Sequence, residues 1–290
     1  MASASLERYF APASLDEALP LLRDGDATLL AGGTDLMPQA QAGRVRFGGA
    51  LVNLRHIAEL QGVERTGATI RIGALATVAA LMKSDLLRHH ASVLVEACDH
   101  FASGQLRNAA TIGGNICNAS PAGDLLVPLL VLDAAVELVS MPGGARRSRL
   151  VRLRDFFTGP GRTVREPAEL LAAVAVPVPP PEFVARFRKF GTRPALDIAA
   201  VSIGIGAARR NGVLAGVRVA FGAVAPTPLR APRTEAALEG HRLDAATIAA
   251  AADVARDEVR PISDVRASEW YRRELIHNLT MRVLDDVAAA

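Results

Sequence analysis

The stretch Thr111-Ile-Gly-Gly-Asn-Ile-Cys-Asn-Ala-Ser-Pro-Ala-Gly-Asp124 joins two adjacent glycines to hydroxyl, amide and carboxylate side chains. Glycine leaves no Cβ between the backbone and a ligand and allows positive φ. Successive backbone N–H groups in such a turn form a concavity suited to an anion such as a phosphate. Thr111, Asn115, Asn118 and Ser120 add neutral side-chain donors around that concavity. Taken alone, the stretch fits equally well a tight loop in which Gly and Asn serve only the turn geometry.

A second stretch, Leu29-Leu-Ala-Gly-Gly-Thr-Asp-Leu-Met-Pro38, repeats this arrangement. An apolar run typical of a buried strand leads into a Gly-Gly pair, a hydroxyl residue and an acid. In this position Asp35 could also cap the helix that follows. Two such turns in one domain predict a pyrophosphate held between them.

The composition indicates a globular chain of two domains. At 290 residues it is long enough for two cores of ordinary size. Half of the residues are hydrophobic, and no long charged or low-complexity tract occurs. Residues 1–8 lack the cationic and apolar regions of a signal peptide, and no window approaches about 18 uncharged apolar residues. We therefore expect no membrane span and a cytoplasmic location.

Cysteine and charge content exclude several kinds of site. Cys98 and Cys117 are the only cysteines. They could form one disulfide, but we expect free thiols. Two cysteines are too few for an iron–sulfur cluster or a structural zinc. The net charge is only +3 and aromatics are 4% of residues, whereas a nucleic-acid surface combines a basic face with exposed aromatics. The basic run 146–154 alternates like a strand with one solvent-exposed face. This pattern favours a face that contacts solvent or another subunit over a face that binds nucleic acid.

The proline-rich segment 177–181 marks a domain boundary, because proline resists the interior of both helix and sheet. Before it, 64–73 alternates like a hairpin and 86–102 like one amphipathic helix. Beyond it, we predict a small antiparallel sheet (183–190, 198–209, 213–223) and three helices (234–238, 244–259, 268–287). Gly204-Ile-Gly206 lies within one of these strands without a third glycine, so a dinucleotide fingerprint is absent.

With both glycine turns placed, the chain resembles the FAD-binding medium subunit of the molybdenum hydroxylases. That family includes the flavin subunits or domains of xanthine dehydrogenase and carbon monoxide dehydrogenase. The resemblance extends over essentially the whole length. It rests on Ala31-Gly-Gly-Thr-Asp35, Gln105-Leu-Arg-Asn-Ala-Ala-Thr-Ile-Gly-Gly-Asn115, Ser120-Pro-Ala-Gly-Asp124, Lys189, Arg193 and Asp197-Ile-Ala.

The resemblance implies an α+β fold. Residues 1–177 would form a two-subdomain FAD-binding domain of the vanillyl-alcohol-oxidase type, divided at about residue 56 into 1–56 and 57–177. Residues 182–290 would form a carbon monoxide dehydrogenase flavoprotein-type C-terminal domain with a three-stranded antiparallel sheet and a helix bundle. FAD would lie noncovalently between the two subdomains.

The same resemblance implies a set of cofactor-binding residues, and no catalytic or metal-ligating residue of the chain's own. The set is Leu29, Leu30, Ala31, Gly32, Gly33, Thr34, Asp35, Leu36, Phe101, Ala110, Thr111, Gly114, Asn115, Asn118, Ser120, Asp124, Leu170, Leu171 and Lys189. In it, 29–36 would donate to the pyrophosphate and ribityl chain, and Asp124 would bond a cofactor hydroxyl. Leu170 and Leu171 would approach the flavin. Lys189 would favour the anionic reduced flavin, unless it forms a surface salt bridge instead.

In this family the chemistry is divided among subunits. The resemblance implies a large molybdenum-cofactor subunit and a small subunit with two 2Fe–2S clusters, in a heterotrimer that is doubled to a hexamer. The flavin subunit would pass electrons to NAD⁺, a quinone, oxygen or another acceptor. The chain lacks the cysteine-bearing insertion of hydroxybenzoyl-CoA reductases. Two alternatives stay open: a nucleotide- or phosphate-binding module without a redox role, and a free-standing flavin oxidase.

Overall fold

The computed structural model describes residues 6–193 and 196–290. They form an α+β protein built on three main β-sheets, which follow one another along the chain. The fold class predicted from the sequence is therefore confirmed.

The first sheet is parallel, with strand order β1-β3-β2. Its elements are β1 (Arg8–Phe10), α1 (Leu15–Ala18), β2 (Ala27–Leu30), α2 (Leu36–Gln41) and β3 (Ala50–Asn53). Because β2 ends at Leu30, the chain leaves the sheet directly into the first Gly-Gly turn. Helix α2 follows that turn and buries none of its side chains, so it lies on the surface beside it.

The second sheet is antiparallel, with strand order β4-β5-β10-β6-β7. Its strands are β4 (Val63–Thr66), β5 (Thr69–Gly73), β6 (Ala135–Ser140), β7 (Arg147–Arg152) and β10 (Leu170–Pro177), and a small hairpin pairs β8 (Phe157–Gly159) with β9 (Arg162–Thr163). The helices between β5 and β6 are α3 (Val78–Lys83), α4 (Asp85–His90), α5 (Ser92–Asp99), α6 (Gly104–Arg107), α7 (Ile112–Asn118) and α8 (Leu126–Val131). The hairpin predicted over 64–73 is confirmed as β4–β5.

The single helix predicted over 86–102 is wrong. The chain breaks at Ala91, whose φ of −142° and ψ of 42° are not helical, and forms α4 and α5 instead. Leu87 and Leu94 are both fully buried in one core on either side of the break. The apolar periodicity therefore continues through the break and does not reveal it.

The third sheet is antiparallel, with strand order β11-β12-β13-β14. Its elements are β11 (Phe183–Phe190), β12 (Val201–Arg210), β13 (Val213–Gly222), β14 (Leu229–Arg230), α9 (Pro232–Leu238), α10 (Ala245–Glu258) and α11 (Glu269–Ala289). The three long strands match the predicted sheet, and the two-residue β14 adds a fourth at its edge. The three helices share a core with one face of the sheet.

Helix α8 covers part of the other face of the third sheet, and two glycines of β12 make room for it. A Cβ on Gly204 would lie 2.9 Å from Val131 Cγ2 and 3.0 Å from Val127 Cγ1, and one on Gly206 would lie 2.8 Å from Val131 Cγ1. The Gly-Ile-Gly sequence therefore serves helix-on-sheet packing. This packing joins the third sheet to helix α8, which begins two residues after the second Gly-Gly stretch ends at Asp124.

Candidate functional site

A cleft of about 540 Å³ lies between the turn after β2 and the segment that contains α7. Residues from three separate parts of the chain line it, including 196–198 from the connection between β11 and β12. The lining residues are Leu29, Ala31, Gly32, Gly33, Thr34, Asp35, Leu36, Gln39, Val45, Phe101, Ala102, Leu106, Ala110, Thr111, Gly114, Asn115, Cys117, Asn118, Ser120, Ala122, Gly123, Asp124, Leu196, Asp197 and Ile198.

At Gly32 the first Gly-Gly stretch meets the two residues that lead directly into the second stretch. A Cβ on this residue would collide with the carbonyl oxygen of Ala109 and would lie 3.2 Å from Ala110 Cα, so only glycine permits this contact between backbones. A side-chain link joins the same two stretches, because Gln39 Nε2 donates to Asp35 Oδ2 at 2.9 Å and to Asn118 Oδ1 at 3.3 Å. The two stretches thus form opposite walls of one cleft.

The first turn keeps its backbone donors free. Gly33 has a φ of +73°, which a residue with a side chain rarely adopts. The carbonyl oxygens of Ala31 and Gly32 accept hydrogen bonds from Arg55 at 2.9 and 2.7 Å. Within the described residues, no N–H group of 32–35 donates to another protein atom. Asp35 stands at the start of α2 but does not cap it; its carboxylate binds Gln39 instead.

The second stretch has a different structure from the one predicted. Its two glycines lie in the first turn of α7 and have no positive φ. Their N–H groups are already bonded, Gly113 to the Ala74 carbonyl at 2.9 Å and Gly114 to the capping Thr111 Oγ1 at 3.0 Å. This stretch therefore offers no concavity of N–H groups. It contributes polar side chains, and Gly114 contributes a smooth backbone surface.

Two acceptors at the cleft are buried without a partner among the described residues. They are Asn115 Oδ1 and Asp124 Oδ1. A buried polar atom left unpaired costs about 1–3 kcal/mol. Because both residues line the cleft, a ligand with hydroxyl or N–H donors would remove that cost.

The second carboxylate oxygen of Asp124, Oδ2, accepts a hydrogen bond from a lysine of the third sheet. Lys189 Nζ lies 2.6 Å from Asp124 Oδ2 and 3.1 Å from the His100 carbonyl oxygen. The side chains of Lys189 and Asp124 are only 7% and 11% exposed, so Lys189 does form a salt bridge, but a buried one and not the surface pair of the alternative interpretation. Burial raises the pKa of the Asp124 carboxyl, and the neighbouring Lys189 cation opposes that rise.

Three of the residues implied by the resemblance do not line the cleft with their own atoms, and a fourth reaches it only through Asp124. Leu170 and Leu171 are 0% and 4% exposed and belong to two different cores on the two sides of β10. Because both side chains are buried in these cores, they do not approach a ligand in the cleft directly, as the resemblance had implied. Leu30 lies at the end of β2, and its side chain contacts Gly33 from outside the cleft lining. Lys189 is outside the lining and contacts it through Asp124.

Several lining residues were not anticipated. Gln39, Val45, Ala102, Leu106, Cys117, Ala122, Gly123, Leu196, Asp197 and Ile198 line the cleft without having been assigned to it. Of these, Leu106, Ala122, Gly123, Asp197 and Ile198 stand in the motifs that carry the resemblance, and their place in those motifs could have indicated them. Ala102 and Leu196 have φ of +35° and +61°, a strained backbone that concentrates at functional sites.

Other features of the described residues limit the chemistry of the site. Cys98 and Cys117 are free, as expected; Cys98 is buried, and Cys117 is exposed at the cleft. No group of three or more His, Cys, Asp or Glu residues in the described ranges is arranged to hold a metal ion. None of the helices in the described ranges is long and apolar enough to cross a membrane.

Two family models match the chain. The FAD binding domain in molybdopterin dehydrogenase matches residues 4–179, and the CO dehydrogenase flavoprotein C-terminal domain matches residues 185–287.

Relatives match over nearly their whole length. The xanthine dehydrogenase FAD-binding subunit of Escherichia coli O157:H7 is 35% identical, over 97% of this chain and 96% of the relative. The carbon monoxide dehydrogenase medium chain of Afipia carboxidovorans is 33% identical over the same shares. A reconstituted CO dehydrogenase from Oligotropha carboxidovorans has a chain with a TM-score of 0.93 and 32% identity, which covers 100% of this chain and 99% of that one. The two family models and these relatives cover nearly the whole chain, and the fold and the cleft agree with them. The chain therefore belongs to the FAD-binding medium subunits of the molybdenum hydroxylase family.

Proposed function

We propose that the chain binds FAD noncovalently in the cleft and acts as the electron-transfer subunit of a molybdenum-containing hydroxylase or dehydrogenase. The single observation that carries this proposal is the meeting of the two Gly-Gly stretches around one cleft with unpaired donors and acceptors. We place the FAD-binding domain at 1–177 and the C-terminal domain at 182–290.

The first turn fits the diphosphate of FAD. Its free N–H groups at 32–35 can donate to phosphate oxygens, and Gly32 and Gly33 let the backbone come close. Gln39 and Asn118 close the cleft between the two walls. A diphosphate held here would be bound by neutral hydrogen-bond donors rather than by direct cationic side chains.

The opposite wall fits the hydroxyl groups of a ribityl chain or ribose. Asn115 Oδ1 and Asp124 Oδ1 are acceptors without protein partners, and a sugar hydroxyl is a suitable donor. Thr111 and Ser120 lie beside them in the lining. Phe101 forms part of the same lining and offers an apolar face to a planar ring.

Lys189 supplies a buried positive charge beside the cleft through its contact with Asp124. Bound FAD would supply the redox chemistry, which the protein's side chains do not themselves perform. A cation near the ring favours a reduced anionic flavin, and the paired carboxylate of Asp124 moderates that effect. Leu170 and Leu171 would support the site from the core rather than contact the cofactor.

The partners follow from the division of labour in the family. We propose a large subunit with the molybdenum cofactor and a small subunit with two 2Fe–2S clusters, assembled as a heterotrimer that dimerises. Electrons would enter from the clusters and leave to NAD⁺, a quinone or another acceptor. The low cysteine count supports this arrangement, because the chain cannot hold the clusters itself.

The test begins with the purified full chain. We expect flavin absorbance and release of FAD on denaturation, whereas a colourless chain that cannot be reconstituted with FAD would indicate a phosphate-binding module. Purification under mild conditions with mass spectrometry should give one large and one small cysteine-rich companion. Complete substrate turnover by the isolated chain would contradict the proposal in favour of a free-standing oxidase.

A further inference from the structure

Arg55 makes an unusual pair of contacts with the first turn. Its Nε donates to the Ala31 carbonyl at 2.9 Å and its Nη2 to the Gly32 carbonyl at 2.7 Å. One planar guanidinium thus binds two consecutive carbonyl groups, a geometry that lysine cannot reproduce. Arg55 follows β3, lies on the surface and is not among the residues that line the cleft.

These contacts fix the direction of the neighbouring N–H groups. No cis peptide occurs in the described residues, and in a trans peptide the C=O and N–H groups point in opposite directions. Because the carbonyls of Ala31 and Gly32 turn towards Arg55, the N–H groups of Gly32 and Gly33 turn away from it. Neither donates within the described residues, so both are available on the side opposite Arg55.

The backbone of Arg55 is itself held in place. Its N–H donates to Asn53 Oδ1 at 3.1 Å, and Asn53 Nδ2 donates to the Tyr9 hydroxyl at 2.8 Å. Gly32 is fixed from the other side by its contact with Ala109. The turn is therefore held between Arg55 and the start of the second stretch, and its donors are arranged before any ligand arrives.

Arg55 also adds positive charge that no carboxylate cancels. Among the described residues it forms no ion pair, whereas Lys189 is bonded to Asp124. A guanidinium that donates to a carbonyl polarises the peptide and strengthens its N–H as a donor.

We propose that Arg55 is the positioning residue of the first turn: it turns two consecutive peptides so that their N–H groups face a diphosphate, without contacting that diphosphate itself. This inference rests on the proposed binding of FAD. It adds that recognition of the diphosphate depends on a side chain outside the cleft.

The experiment compares Arg55→Met with Arg65→Met in the full chain stripped of flavin. Arg65 is a matched control because its Nε also donates to a carbonyl of a glycine turn, Gly67, at 3.0 Å, but in the β4–β5 hairpin away from the cleft. FAD, ADP and riboflavin serve as probes, because the first two carry a diphosphate and the third does not.

For Arg55→Met we expect the Kd of FAD and of ADP to rise by on the order of tenfold, with the Kd of riboflavin unchanged. Arg65→Met should leave all three constants unchanged. In Arg55→Ala, added methylguanidinium should restore part of the ADP affinity, which general loosening of the fold would not allow.

Equal affinities for FAD in Arg55→Met and the unsubstituted chain would overturn the inference, as would a parallel loss for riboflavin or a lack of rescue by methylguanidinium. These results differ from a failure of the proposed function. In that case the unsubstituted chain itself would bind neither FAD nor ADP.

Discussion

Lys189 from the third sheet is bonded to Asp124 from the second Gly-Gly stretch, with 2.6 Å between Nζ and Oδ2 and both side chains about nine-tenths buried. The contact joins two parts of the chain 65 residues apart. It also places a buried ion pair at the lining of the cleft, where removal of either partner leaves a charge in a poorly solvated position.

We expect Lys189→Met to destabilise the protein in a pH-dependent way. Burial raises the pKa of Asp124, and without Lys189 nothing of comparable size opposes the rise. A carboxyl whose folded-state pKa is raised favours folding when protonated, and this stability is lost as the pH rises through the folded pKa. The loss should therefore be about 3 kcal/mol at about pH 8 and smaller near pH 5.

Thermal or urea unfolding across this pH range measures the effect. Arg188→Met is the control, because Arg188 forms an exposed pair with Asp286 at 2.7 Å on the neighbouring position of β11. Such a pair contributes about 0–1 kcal/mol. A loss for Lys189→Met that is equal at both ends of the pH range would show that Asp124 does not titrate as argued.

We expect Asp124→Asn to raise the midpoint potential of bound FAD. The amide keeps an acceptor oxygen but removes the negative charge, so the Lys189 cation is no longer neutralised. A partly shielded charge interaction of about 1.4 kcal/mol corresponds to about 30 mV in a two-electron couple. Spectroelectrochemical titration measures this shift, and a lower or unchanged potential would place Lys189 too far from the ring to act on it.

We expect Gly32→Ala to separate the two walls of the cleft. The new Cβ would collide with the Ala109 carbonyl, a backbone atom that cannot rotate away. Overpacking of this kind costs about 1–3 kcal/mol, and FAD affinity should fall with it. Gly104→Ala is the control, because nothing lies within 4 Å of its Cβ position. Unchanged FAD affinity in Gly32→Ala would mean that the contact with Ala109 does not shape the site.

The glycine pattern predicted that the two stretches share one cleft. It did not predict which hydrogen-bonding groups each wall of the cleft provides. Leu29 to Asp35 forms the predicted strand and turn, because β2 ends at Leu30 and Gly33 adopts a φ of +73° that glycine allows. A threonine before Gly113 and Gly114 is equally the signature of a capped helix. The structure has the capped helix, in which Ala74 accepts from the Gly113 N–H and Thr111 accepts from the Gly114 N–H.

Arg55 and Leu171 show what the linear pattern could not provide. The carbonyls that Arg55 binds lie 23 and 24 residues earlier in the chain, and no spacing rule connects them. The apolar sequence of β10 does not reveal that separate cores cover its two faces. Contacts made by tertiary packing therefore decide which implied residues reach the cleft.

We expect Asn115→Ala to affect the free and the FAD-bound protein in opposite directions. Asn115 Oδ1 is buried without a partner in the described residues, so its removal deletes an unsatisfied acceptor that costs about 1–3 kcal/mol. The flavin-free chain should be as stable as before or more stable, while FAD should bind more weakly. Thermal unfolding with and without FAD measures both effects, and a less stable flavin-free chain would show that Oδ1 already has a partner.

The two cysteines provide a direct test of cleft occupancy. Cys117 is exposed at the cleft, whereas Cys98 is fully buried. Burial raises the pKa of both thiols, that of Cys98 to about 12, so both react slowly at neutral pH and solvent access decides between them. A reagent can reach Cys117, and Cys98 should stay unmodified. In the flavin-free chain a thiol reagent should modify one cysteine, and Cys117→Ser should abolish that reaction. FAD should protect Cys117, and ADP should protect it less if the flavin half of the ligand covers this part of the cleft. Equal modification with and without saturating FAD would place the cofactor outside the cleft and remove the basis of the proposed function.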